Sequence, residues 1–207
     1  MVPLLLDLSG ALVVIFGGGD VGARKAAFFA GEARTRVYSR SFSPRFGEID
    51  AECVHVDLSG MEDAGLASLL KGAAMAVAAT PDPALNNRIG ALCREQGILF
   101  NNAEGEPGDV LIPSVVRGKN YLLAISTPGA SPGVSRFLRR HLEETLPGLD
   151  AMIALQERLR SSLREVQPDG EKRRELVTAV LQDRDVWRAV EKNRDDAWTL
   201  VRERYLA

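Results

Sequence analysis

Cysteine and histidine are scarce: two of each in 207 residues. Cys53 and Cys93 lie far apart and neither belongs to a C-x-x-C pair. That spacing excludes a disulfide scaffold and a thiolate zinc site, so both are expected to be reduced, buried thiols. His55 and His141 fall in different segments without ligand spacing, so no resident metal site is expected. Net charge is also small, at −2, which leaves no basic field to hold nucleic acid. No apolar run approaches the roughly 18 residues that a membrane span needs. The opening residues 1–6 carry no basic side chain and are too few for a signal peptide. The expected location is therefore the cytoplasm.

What the chain does have is an apolar share of 45%, enough for a substantial core. It also has one highly structured stretch. Leu12–Phe16 is continuously apolar, as in a parallel strand buried on both faces. Gly17-Gly18-Gly19-Asp20-Val21-Gly22 follows, and then Ala23–Ala30, a good helix former. In that context each spaced glycine has a physical role. Gly17 lets the chain turn off the strand, Gly19 lets backbone approach a pyrophosphate, and Gly22 lets helix and strand pack closely. The free N–H groups at the helix start then face the anion. The stretch predicts a dinucleotide site.

Strand and helix alternate through the first hundred residues. Strands are expected at Leu12–Phe16, Arg36–Tyr38, Cys53–Val56, Ala74–Ala79 and from Ile98, with helices at Val21–Ala30, Leu66–Leu70 and Pro83–Gln96. Such alternation implies a doubly wound parallel sheet with right-handed crossovers. The pattern then changes. Val110–Val116 and Tyr121–Ser126 read as short strands about a hairpin turn, and a helix starts near Pro132 with Val134, Phe137, Leu138 and Leu142 on one face. From Leu149 the chain is helical, broken at Pro168-Asp169-Gly170; the last amphipathic segment carries Val186, Trp187, Val190, Trp198, Val201 and Tyr205.

A dinucleotide site commonly has a carboxylate at the end of its second strand that bonds the ribose. Here the strand ends Val37-Tyr38-Ser39-Arg40-Ser41, with none. Either Arg40 faces a 2′-phosphate, favouring NADP, or Ser39 and Ser41 bond the ribose hydroxyls. Thr80 and Asp82 fall just past the Ala74–Ala79 strand, at the switch point where the rest of a nucleotide lies. They are candidates both for nucleotide contact and for capping the next helix.

Several blocks, in order, resemble one family. Pro3-Leu4-Leu5-Leu6-Asp7-Leu8, the stretch from Gly17 to Lys25, Ala78-Ala79-Thr80-Pro81-Asp82 with Leu85-Asn86, Ile112-Pro113-Ser114, and Ser126–Pro132 with Arg136-Phe137-Leu138-Arg139 are similar to motifs of precorrin-2 dehydrogenase, the dehydrogenase/ferrochelatase module of siroheme synthases. The resemblance spans residues 3–145. It implies a Rossmann-type domain over 1–112, a small α+β dimerisation segment over 113–147 and a helical tail over 148–207. It further implies a homodimer in which NAD takes a hydride from precorrin-2, giving sirohydrochlorin. It moves the cofactor expectation from NADP to NAD.

Two alternatives accompany that reading: a bifunctional enzyme that also inserts Fe²⁺ as a second substrate, and a non-catalytic module that binds NAD or tetrapyrrole. The family's proton-accepting Asp has Glu104 in its place here, in Asn101-Asn102-Ala103-Glu104. Glu104 is one methylene longer and capable of the same transfer. It reads either as that base or as a solvated loop carboxylate. A substrate with eight carboxylates needs cations; Arg117, Arg136 and Arg139, with the helix start at Ser131, are the candidates.

Overall fold

The computed structural model describes residues 2–206 and divides into two compact units, one ending at Ile112 and the other beginning at Pro113.

The first unit is built on five parallel strands: β1 (Leu12–Phe16), β2 (Arg34–Ser39), β3 (Glu52–His55), β4 (Ala73–Ala78) and β5 (Leu99–Asn102), in the order β3-β2-β1-β4-β5. This is the doubly wound arrangement, with its switch point between β1 and β4. Val13, Val14, Ile15 and Phe16 of β1 are all fully buried, because helices cover both faces. Val13 and Ile15 pack with α1 (Asp20–Phe29) through Ala23, Ala26 and Phe29. Val14 and Phe16 pack with α2 (Asp63–Leu69) and α3 (Pro83–Gln96) through Leu66, Leu85 and Ile89. Burial of each such aliphatic side chain contributes about 1.5–3 kcal/mol before chain entropy is counted. The local signals behave as their chemistry dictates: Pro83 opens α3, the Asp82 side chain caps it, and Gly97 closes it at φ 68°.

Cys93 is buried on α3, but Cys53 is exposed, contrary to the expectation for both. Its strand, β3, is the edge of the sheet and pairs only with β2.

The second unit opens with an antiparallel hairpin, β6 (Ser114–Arg117) and β7 (Leu122–Ile125), against which α4 (Pro132–Thr145) packs. The first of these strands starts at Ser114 rather than at Val110. Pro113 has no N–H to donate to a ladder, and Val110 and Ile112 instead join the core beneath α1. The Asp150 carboxylate accepts the backbone N–H groups of Lys119 and Asn120 at 2.9 and 2.7 Å, tying the hairpin turn to α5 (Leu149–Val166). Helices α6 (Gly170–Gln182), α7 (Arg184–Lys192) and α8 (Arg194–Tyr205) complete a core with Met152, Leu159, Leu163, Val186 and Val201. The segment expected as one final helix is two. Asn193 adopts extended backbone and its side chain accepts from Asp195 N–H, so it caps a new helix. Among the described residues no helix is long and apolar enough to cross a membrane.

Candidate functional site

A cleft of about 580 Å³ opens at the carboxyl edge of the parallel sheet. Gly17, Gly18, Gly19, Asp20 and Val21 form one wall, Ser39, Arg40 and Ser41 a second, and Thr80, Asp82, Ala103 and Glu104 a third. With Asp57, Leu58 and Ser59, residues from five separate stretches thus converge on one hollow, where an open α/β sheet places its ligands.

The glycines differ in what holds them as glycine. Gly17 has φ 113°, and a Cβ there would lie 2.3 Å from the Ala79 carbonyl oxygen. A Cβ at Gly22 would lie 1.9 Å from the Gly17 oxygen, so this position sets the close approach of α1 to the turn. Gly22 does not line the cleft; its part is in packing. Gly19 is different. Its φ of −73° suits any residue, and a Cβ on it would meet nothing within 4 Å. Neither backbone strain nor packing requires glycine there. The open space beside it lies at the start of α1, a helix with no side-chain cap on its first turn, where backbone N–H groups can meet an anion. The cradle therefore fits a dinucleotide pyrophosphate. The Asp20 carboxylate is engaged by the Ser43 hydroxyl at 2.7 Å.

The third wall is braced by a buried amide that the sequence shows only as a motif residue. Asn86 is fully buried. Its Oδ1 accepts from the Thr80 hydroxyl at 2.6 Å and the Thr80 N–H at 3.2 Å. Its Nδ2 donates to the Thr80 and Glu104 carbonyl oxygens, both at 3.1 Å. The Thr80 hydroxyl is thus committed to Asn86. Asp82 is the α3 cap, accepting from Ala84 and Leu85 N–H groups at 2.9 and 3.3 Å.

Asn102 and Asn87 extend the same network. Asn102 Oδ1 accepts from Glu104 N–H at 3.3 Å, and its Nδ2 donates to the Glu106 carbonyl at 2.8 Å. Asn87 Oδ1 accepts from Glu106 N–H at 3.0 Å. Ala103 N–H continues the sheet to Ala78. The backbone on both sides of Glu104 is fixed while its side chain is exposed along the cleft. That geometry suits a carboxylate presented to a ligand.

A family model described as putative NAD(P)-binding matches residues 4–114. A precorrin-2 dehydrogenase of Methanosarcina barkeri is 39% identical over 200 residues, covering 94% of this chain and 89% of that protein. The chain belongs to the precorrin-2 dehydrogenase family. A siroheme synthase of Ectopseudomonas mendocina is 32% identical over 187 residues, which are 87% of this family member but 38% of the synthase. The solved SirC, a precorrin-2 dehydrogenase, shares the fold at a TM-score of 0.71 and 22% identity, covering 98% of this chain and all of that one.

The remaining candidates of this family member belong to the second unit. Ser131 caps α4, its Oγ accepting from Val134 N–H at 3.3 Å. Arg139 Nη1 donates to both carboxylate oxygens of Glu143, at 2.6 and 2.8 Å. Arg136 is exposed on α4, and Arg117 lies at the end of β6. His141 stacks on Phe137 and is also exposed.

Proposed function

We propose that this protein oxidises precorrin-2 to sirohydrochlorin with NAD, within siroheme biosynthesis. The observation that carries the reading is the 39% identity to a named precorrin-2 dehydrogenase across nearly the whole chain. The convergence of the glycine turn, Arg40, Thr80 and Glu104 on one cleft supports it. When bound, NAD supplies the hydride acceptor. Gly17–Val21 hold its pyrophosphate, and Ser39 and Arg40 reach its adenosine end. Glu104, fixed at its backbone by Asn86 and Asn102, accepts the proton released as the macrocycle becomes conjugated. On the second unit, Arg117, Arg136 and the α4 start at Ser131, with Arg139 where it is released from Glu143, are our candidates for recognising the substrate's carboxylates.

The active form we propose is a homodimer. Val134, Phe137 and Leu138 are 47, 65 and 37% exposed on one helix, an apolar patch that a second copy would cover. Light scattering at twice the chain mass checks this. Two unpaired cysteines suit the reducing cytoplasm, the location we assign; cell fractionation tests it.

The deciding experiment is anaerobic turnover of precorrin-2 with NAD⁺, followed by absorption spectroscopy. Sirohydrochlorin forming only when NAD⁺ is present supports the reading; NAD⁺ bound without oxidation refutes it. Adding Fe²⁺ as a second substrate, with insertion faster than the uncatalysed rate, assigns the chelatase activity as well. Glu104→Ala is expected to lower turnover by about 10²–10⁴-fold at unchanged NAD⁺ affinity; full turnover removes Glu104 as the base.

A further inference from the structure

The cleft contains a carboxylate at the adenosine wall that does not come from the second strand. We propose that Asp57, carried on the segment after β3, selects NAD over its 2′-phosphorylated counterpart. The inference rests on the dinucleotide reading of this cleft and deepens it.

The placement follows from the sheet. β2 and β3 run parallel with Ser39 opposite His55, and the pairing continues past the strand end as Val56 N–H donates to the Ser39 carbonyl at 3.0 Å. The His55 ring contacts the Arg40 carbonyl at 3.3 Å, holding the two strand ends together. Asp57 therefore emerges beside Arg40, and both line the cleft with Ser39 and Ser41. The Asp57 carboxylate is oriented by Ser59, whose N–H and hydroxyl both donate to Oδ1, at 2.9 and 2.5 Å. Those bonds, and then the Arg40 charge, hold its carboxyl below the usual aspartate range, so it is ionised at neutral pH.

Charge then decides the selectivity. Taken alone, Arg40 would attract a 2′-phosphate. With Asp57 next to it, part of that attraction is cancelled. An added 2′-phosphate of roughly −1.5 to −2 charge is then opposed by the Asp57 carboxylate as it approaches Arg40. The 2′-hydroxyl of NAD adds no such charge. The role that many dinucleotide folds give to the last residue of the second strand is thus filled from the third.

The test is titration of NAD⁺ and NADP⁺ by calorimetry into the wild-type protein, Asp57→Asn and Asp57→Glu. Asparagine keeps the shape and the acceptor for Ser59 while removing the charge. The expected result is a wild-type preference for NAD⁺ that falls by about tenfold in Asp57→Asn, the order expected of one partly screened carboxylate. The difference shrinks at high salt, and Asp57→Glu restores it. An unchanged NAD⁺/NADP⁺ ratio in Asp57→Asn, with NAD⁺ still bound, overturns the inference alone. Wild-type protein that binds neither dinucleotide overturns the cofactor reading and this inference with it.

Discussion

Replacing Gly19 with valine is expected to remove NAD⁺ binding and leave the fold intact, whereas replacing Gly22 with alanine, three residues on, is expected to lower the stability of the fold itself. The structure separates the two positions sharply. A Cβ at Gly19 meets nothing within 4 Å, and its backbone, at φ −73° and ψ −174°, is open to any residue. The cost to the protein is limited to a poorer helix cap, up to about 1 kcal/mol. The bound pyrophosphate loses its close approach to the backbone amides, and charge-assisted hydrogen bonds of this kind contribute about 1.5–3 kcal/mol each. Losing even one weakens affinity by at least about tenfold. At Gly22 the new Cβ would lie 1.9 Å from the Gly17 carbonyl oxygen, a backbone atom that cannot swing aside. Overpacking of this sort costs about 1–3 kcal/mol, a fall in Tm of about 2–12 °C. Calorimetric NAD⁺ titration and thermal unfolding of both variants measure the contrast. Wild-type NAD⁺ affinity in Gly19→Val refutes the pyrophosphate cradle, and a wild-type Tm in Gly22→Ala refutes the account of helix–turn packing.

Three further outcomes follow from other parts of the molecule. Asn86→Ala strands the Thr80 N–H and the Thr80 and Glu104 carbonyls at a buried site; each unpaired group costs about 1–3 kcal/mol, and turnover is expected to fall further than NAD⁺ affinity, with Asn86→Asp, which keeps only the acceptor oxygens, little better. A thiol reagent at pH 8 is expected to modify Cys53 in the native protein and Cys93 only after unfolding, because burial, and then the Asp109 charge, push the Cys93 thiol up to about 12; mass spectrometry of the labelled protein reports which thiol reacted. Asp183→Ala is expected to destabilise the helical unit by about 1–2 kcal/mol through loss of the α7 cap. Although burial raises the Asp183 carboxyl, the Tyr205 hydroxyl, the α7 amides and Arg204 outweigh that and leave it lowered. Its contribution is therefore complete above the ordinary aspartate range near pH 4 and is lost as pH falls through the depressed value, which acid titration of wild type against variant detects.

The sheet was legible because its signals are local. Five consecutive apolar residues before three spaced glycines leave little choice at β1, and Pro83, Asp82 and Gly97 mark both ends of α3. Boundaries that depend on tertiary packing were not legible. Val110 and Ile112 carry the same β-branched signal as Val115 and Val116, yet they are drawn into the first unit's core. The break at Asn193 was hidden because Val190 and Val201 bury toward one common core on both sides of it. Cys53 reads as a core residue by type, and only the strand order reveals that it lies on an edge.

The site divides along the same line. The glycine turn is a local signal whose three roles follow from the spacing. The frame that holds Glu104 depends instead on side-chain amides bonded to backbone atoms 18 and 19 residues away, as in Asn86 to Glu104 and Asn87 to Glu106. Such bonds leave no periodicity and no composition bias. A buried Asn has to satisfy its amide somewhere, but the sequence does not say where. Asp57 shows the consequence for function. The end of the second strand carries Arg40 and no carboxylate, which leaves both the 2′-phosphorylated and the plain cofactor open. Across the parallel pairing of β2 and β3, the Asp57 carboxylate lies beside it. Cofactor choice is a property of the summed field in the cleft, and a field combines charges by distance, whatever strand carries them.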